Sequence, residues 1–210
     1  MIIINMKKIL ICICLSIFMQ CHTQKIDNLL PRVDEKFEKF DIESFNKNSV
    51  RGYVLIQKEN TISIQEIQSF GFIERQYNAN SIFKKNIFFY KNGYIKKKGI
   101  LFSEGSQIGI WYYFDESGKL IKEEDTDSGY LFKPEDIIKY CKKNNIELSK
   151  GYHERDGYQT SIYKNEVDGK KVWLISYINS LNKQDKEIKL TLDGQTGKVV
   201  KREEFPYDNY

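Results

Sequence analysis

The stretch Gly109-Ile110-Trp111-Tyr112-Tyr113-Phe114-Asp115-Glu116-Ser117-Gly118-Lys119-Leu120-Ile121 constrains this chain more than any other. Aromatic side chains fit the pleated, half-buried surface of a strand, and Gly118 supplies the positive φ that a tight reversal needs. The stretch therefore reads as strand, turn, strand. The same order of aromatic triplet, polar turn, Gly and aliphatic occurs upstream in Phe88-Phe89-Tyr90-Lys91-Asn92-Gly93-Tyr94-Ile95, whose Asn-Gly is a strong hairpin signal. A repeated aromatic-turn-Gly unit is the mark of stacked hairpins. The runs Tyr53–Gln57 and Thr61–Gln65, separated by Lys58-Glu59-Asn60, read as a further hairpin, and Phe70–Ile73 and Ile82–Phe83 continue the style.

On Tyr90, Asn92, Gly93, Gly109, Trp111, Phe114, Asp115, Gly118, Leu120 and Ile121, residues 86–124 resemble the MORN-repeat-variant family, often described as antitoxin-component-like. The resemblance covers about one and a half repeat units. It implies a hairpin fold and is nearly silent on activity.

The flanking segments read differently. Leu29, Val33, Phe37 and Phe40 recur at the spacing of an amphipathic helix, with Asp34, Glu35, Lys36, Glu38 and Lys39 between them. An N-terminal helix is expected there, packed on the core. Glu123-Glu124-Asp125-Thr126-Asp127-Ser128-Gly129 is polar and acidic and reads as a domain boundary. Pro134-Glu135-Asp136 opens a second helix, with Ile137, Ile138, Tyr140 and Cys141 on its apolar side and Asn144-Asn145 at its end. Three antiparallel strands follow, with turns at Val167-Asp168-Gly169-Lys170 and at Asp193-Gly194-Gln195-Thr196-Gly197. The alternation of Ile188, Leu190 and Leu192 with Lys189 and Thr191 gives the last hairpin one wet face. Trp173, Ile175, Leu192, Asp193, Gly194, Thr196, Gly197 and Val199, within residues 133–202, resemble a PepSY-like domain. Some such domains restrain peptidases. The expected fold class is α+β: an N-terminal helix, an antiparallel hairpin meander, then a helix plus a three-stranded antiparallel sheet. The expected domains are residues 31–130 and 131–210.

At the N-terminus, Met6-Lys7-Lys8 precedes the apolar run Ile9 to Met19, the layout of a secretory signal and too short to span a bilayer as a helix. Either Met1 or Met6 serves as a start. Cys21 ends the apolar run and polar His22-Thr23-Gln24 follows, which resembles a bacterial lipoprotein signal. The resemblance implies a signal peptide over 1–20, lipidation at Cys21, and a tether over 21–30. Phe18-Met19-Gln20 departs from the small residue usual before the Cys. Several acyl chains hold a protein on a membrane stably, since each buried methylene contributes about 0.8 kcal/mol. The absence of Asp after Cys21 favours the outer membrane, by resemblance to lipoprotein sorting.

The remaining residues offer little chemistry. Net charge is +4, and Lys7 and Lys8 of the leader carry two of those charges. The rest is too balanced to select nucleic acid or an anionic membrane by charge. Lys84, Lys85, Lys91, Lys96, Lys97 and Lys98 interleave with Phe88, Phe89, Tyr90 and Tyr94, a pattern that suits single-stranded nucleic acid, but lysines on a wet sheet face also guard edges, and an exported protein rarely meets that ligand. Of the 4 cysteines, Cys12 and Cys14 lie in the leader, so no intrachain disulfide framework is expected. Cys141 on the apolar side of its helix reads as core rather than nucleophile. His153, in a Gly-bounded polar loop, reads as solvated, and no His/Cys pair has zinc spacing. Asp125-x-Asp127-x-Gly129 misses the calcium-loop pattern by one place and reads as a solvated linker. No catalytic residue, metal or cofactor is expected. The function expected is that of an exported, lipid-anchored, non-enzymatic envelope protein, a protein-binding or immunity/antitoxin-like module with Trp111 and Tyr113 as its interaction surface. Its partners are then the membrane, through Cys21, and a protein, with no nucleic acid. The alternative is a PepSY-type inhibitor or modulator of an exported peptidase; a hydrolase ranks third.

Overall fold

Short runs of aromatic and β-branched residues punctuated by Gly corners favour neighbour-to-neighbour strand pairing, because each turn returns the chain antiparallel to the strand just made. The computed structural model describes residues 31, 33–153, 157–179 and 185–207. Within it β1 (Tyr53–Lys58), β2 (Thr61–Gln68), β3 (Gly71–Asn78), β4 (Phe83–Tyr90), β5 (Ile95–Phe102), β6 (Gln107–Phe114) and β7 (Leu120–Asp125) form one antiparallel sheet in sequence order. A second, four-stranded antiparallel sheet holds β8 (Ser161–Val167), β9 (Lys170–Asn179), β10 (Lys186–Asp193) and β11 (Val199–Pro206). Two short helices complete the described structure: α1 (Ile42–Asn48) and α2 (Pro134–Lys143). Among the described residues no helix is long and apolar enough to cross a membrane. The signal peptide, the tether and Cys21 lie outside the described residues.

The molecule is therefore mostly β, and the α+β expectation is corrected in two places. The C-terminal sheet has four strands rather than three, because β11 pairs along the length of β10, from Lys186↔Pro206 to Leu192↔Val199. The expected N-terminal helix is an extended strap instead. In a helix the Lys36 carbonyl would accept from the Phe40 amide. Here the Phe40 N–H donates to Gly93 O at 2.8 Å, the Ile95 N–H donates to Glu38 O at 3.1 Å, and Lys39 bridges Tyr94. That leaves the Lys36 carbonyl free to accept from Lys98 Nζ at 2.6 Å. The helix begins only at Ile42, where the Asp41 carboxylate accepts from the Ser44 N–H at 2.9 Å as its N-cap.

Strap and α1 cover one face of the large sheet. Cross-strand register sets Phe72 opposite Phe89 and Phe89 opposite Ile95, and these join Ile87 and Phe114 with Phe40 and Phe45 in one buried cluster. Phe40 stacks on Phe72 with ring centroids 4.5 Å apart. Lys98 is fully buried on the same face, its Nζ held by Glu38 at 2.7 Å and Asp34 at 3.3 Å. Burial raises the Glu38 carboxyl, but the hydrogen bond from Lys98 and the charge of Lys85 outweigh it and leave Glu38 below its ordinary value.

The second sheet buries Ile162, Trp173, Ile175, Ile188, Leu190 and Leu192, and α2 buries Ile137 and Cys141. The β5–β6 turn meets β8 through a parallel bridge from Gly105 to Ile162. Asp127 ties the two sheets more firmly. Its carboxylate accepts from the Gly109 N–H at 2.8 Å and pairs with Lys164 Nζ at 2.7 Å. Asp127 is thus a packed tie, buried with both oxygens engaged, within a stretch whose Asp125, Ser128 and Gly129 are exposed.

Candidate functional site

Because strand side chains alternate faces, the face of the large sheet opposite the strap is fixed by the same register. Ile73 lies opposite Phe88, Phe88 opposite Lys97, Lys97 opposite Tyr113, and Tyr113 opposite Lys122. The row alternates ring and cation across four strands. Lys97 Nζ sits 4.6 Å from the Phe88 centroid and 6.0 Å from that of Tyr113, and Lys122 Nζ sits 5.0 Å from Tyr113. Lys96, displaced by the β-bulge between Phe88 and Phe89, covers Phe70 at 5.1 Å and Tyr90 at 5.3 Å. Among the described residues Lys96 and Lys97 have no ion-pair partner; the rings hold them. Such contacts are each worth roughly 0.5–1 kcal/mol at exposed sites.

Tyr113 donates to Glu124 Oε2 at 2.6 Å. Burial and then the Glu124 carboxylate push the Tyr113 phenol up to about 12, while that hydrogen bond and one from Lys122 hold Glu124 low. Burial, then the charge of Lys96, pulls Lys97 below an ordinary lysine. Glu124 also lines an open groove of about 750 Å³ between the sheets, with Gln107, Asp125, Ser128, Lys164 and Lys171. The surface offers cations, ring edges and a carboxylate to a partner.

The two aromatics expected at the interaction surface separate. Tyr113 stands in the row, half-buried. Trp111 is 0% exposed, which corrects its place as a contact residue. Its indole lies flat on Gly99, where any Cβ would collide with the ring, and its Nε1–H donates to Ile100 O at 3.2 Å. Gly93 and Gly118 occupy their turns with φ of 81° and 86°. Phe37 of the strap packs against Gly118 with no room for a side chain. In the Asp193 turn the carboxylate accepts from the Gln195 and Thr196 N–H groups and from the Thr196 hydroxyl. Gly194 lies against the Lys171 carbonyl and Gly197 under the Phe132 ring. These five are structural corners, remote in role from the row.

Burial pushes the Cys141 thiol up to about 12, so it stays protonated in the core. His153 Nε2 lies 2.6 Å from Lys150 O. Among the described residues no group of three or more His, Cys, Asp or Glu side chains is placed to hold a metal. What the sequence misses is the division of Lys96-Lys97-Lys98. The period of two sends Lys97 to the open row and Lys98 to the buried face, a signal present in the strand alternation but masked by the look of one basic cluster. Comparison with protein-family models, curated proteins and solved structures finds no match to this chain.

Proposed function

We propose that this chain is a lipid-anchored protein of the bacterial cell envelope that works without catalysis, as a protein-binding module of the immunity or antitoxin-like kind. It docks an acidic surface of its partner on the Phe88–Lys97–Tyr113–Lys122 row. One observation carries this reading: Lys96 and Lys97 rest on aromatic rings and form no ion pair among the described residues, Glu124 acting on Lys97 only through its charge. Rings preset the cations, so a partner carboxylate gains the ion pair with little side-chain ordering left to do. A tyrosine such as Tyr113 is also among the commonest carriers of binding energy at the centre of a patch.

Two measurements test it. Labelled palmitate enters the wild type and not Cys21→Ser; equal labelling ends the anchor. A photo-reactive residue in place of Tyr113 captures a toxin-like partner from intact envelopes, and Lys96→Glu with Lys97→Glu abolishes capture. Capture indifferent to that double reversal removes the row as the docking face. A peptidase caught in the same experiment supports the inhibitor reading instead.

A further inference from the structure

Two sheets have four edges, and three are guarded. β7 carries Lys122, Glu123, Glu124 and Asp125, and β11 carries Lys201, Arg202, Glu203 and Glu204. On β8, the Ile162 N–H donates to Glu104 O and Ile162 O accepts from the Ser106 N–H, both at 2.9 Å, while the Lys164 N–H donates to Ser106 Oγ. The fourth edge, β1, has no charge from Tyr53 to Gln57, and Leu55 is 42% exposed.

The two-residue turn at Glu59-Asn60 makes Lys58 and Thr61 a hydrogen-bonded pair, so alternation turns the N–H and C=O groups of Tyr53, Leu55 and Gln57 away from β2. Those of Tyr53 are taken by Val50, at 3.1 Å and 3.0 Å. Among the described residues the open window is therefore Val54 to Lys58, closed at one end by Val50 and at the other by the turn. Its central residue is Ile56. A hollow of about 520 Å³, lined by Ser44 and Asn48 of α1 and by Val50, Val54 and Gln57, runs beside it.

We infer that β1 pairs with β1 of a second copy, antiparallel about a two-fold axis at Ile56, to make one continuous sheet. Leu55 of each copy then exchanges both main-chain hydrogen bonds with Gln57 of the other, and Ile56 faces Ile56. Val54 meets Lys58, so no like charges oppose one another. Each Glu59 turn arrives beside the Arg51 turn of the other copy, whereas a parallel pairing sets Glu59 against Glu59. The window has equal arms about Ile56, which is what an isologous contact requires. This edge is separate from the aromatic–lysine row, and the inference does not rest on the proposed function.

Sedimentation of the full chain in density-matched detergent tests it. The wild type runs as a dimer. Ile56→Lys and Ile56→Glu each run as monomers, because like charges meet at the axis and weaken association by more than about 100-fold. Mixed one to one, the two variants form a dimer again. Ile121→Lys, on the β7 edge, leaves the dimer intact. A monomeric wild type, dimeric single variants, or a mixture that stays monomeric while both variants remain folded overturns the inference. Should a charged variant fail to fold, Ile56→Cys gives the second readout. A non-hydrogen-bonded pair at the axis sets the two Cα atoms about 4.5 Å apart, within disulfide reach, so Ile56→Cys cross-links faster than Leu55→Cys. Equal rates overturn the pairing.

Discussion

Lys98 and Gly99 are adjacent residues on opposite errands. Lys98 sends its Nζ into the buried face, to Glu38 and the Lys36 carbonyl. Glu38→Ala leaves that cation in the interior short of a partner and costs about 3 kcal/mol. Lys98→Met costs less than half as much, because Glu38 keeps Lys85 at 3.1 Å and remains partly solvated. Thermal unfolding of the two variants side by side checks the order. Gly99 is the floor on which Trp111 lies. Gly99→Ala forces the indole off the strand and costs about 2 kcal/mol, accompanied by a red-shifted tryptophan emission. Sequence patterning placed Trp111 on a strand but not its depth, because the bare backbone that receives it belongs to a different strand. Tyr113, two residues on, lacks such a floor and stays at the surface.

At the scale of elements, local chemistry was the legible part. Gly93 and Gly118 turn the chain where their φ demands, and Pro134 starts α2. The strap was not legible, since Val33, Phe37 and Phe40 carry a helical spacing while the partners of Phe37 and Phe40, namely Tyr94, Gly118 and Gly93, lie far along the chain. The fourth strand, β11, is not legible for a similar reason: its charges hide a length set by β10. Two outcomes follow for the strap and α1. Asp41→Ala removes the cap of a helix of 7 residues and costs about 1 kcal/mol. The depressed Glu38 carboxyl contributes stability that is complete above the ordinary 4.5 and is lost as pH falls through its lower folded value. Protection of the Phe40 and Ile95 amides from hydrogen exchange, both made by the strap, therefore drops below about pH 4.5 before that of the β4–β5 ladder.

Taken whole, the molecule holds 2 tryptophans, Trp111 in one sheet and Trp173 in the other. Trp111→Phe and Trp173→Phe thus leave one reporter per sheet. In the wild-type background the two denaturation curves coincide. Asp127→Ala strands the buried Lys164 and frees the Gly109 amide, costs about 3 kcal/mol, and separates the curves. The layout has a mechanical side as well. The strap opens the described fold on its N-terminal side, and it crosses the tips of two hairpins, at Gly93 and at Gly118. A pull from that side is felt first at the Lys98 cluster and at the amide pair around Gly93, peeling them one after another. The strands behind them carry load only once the strap has come away.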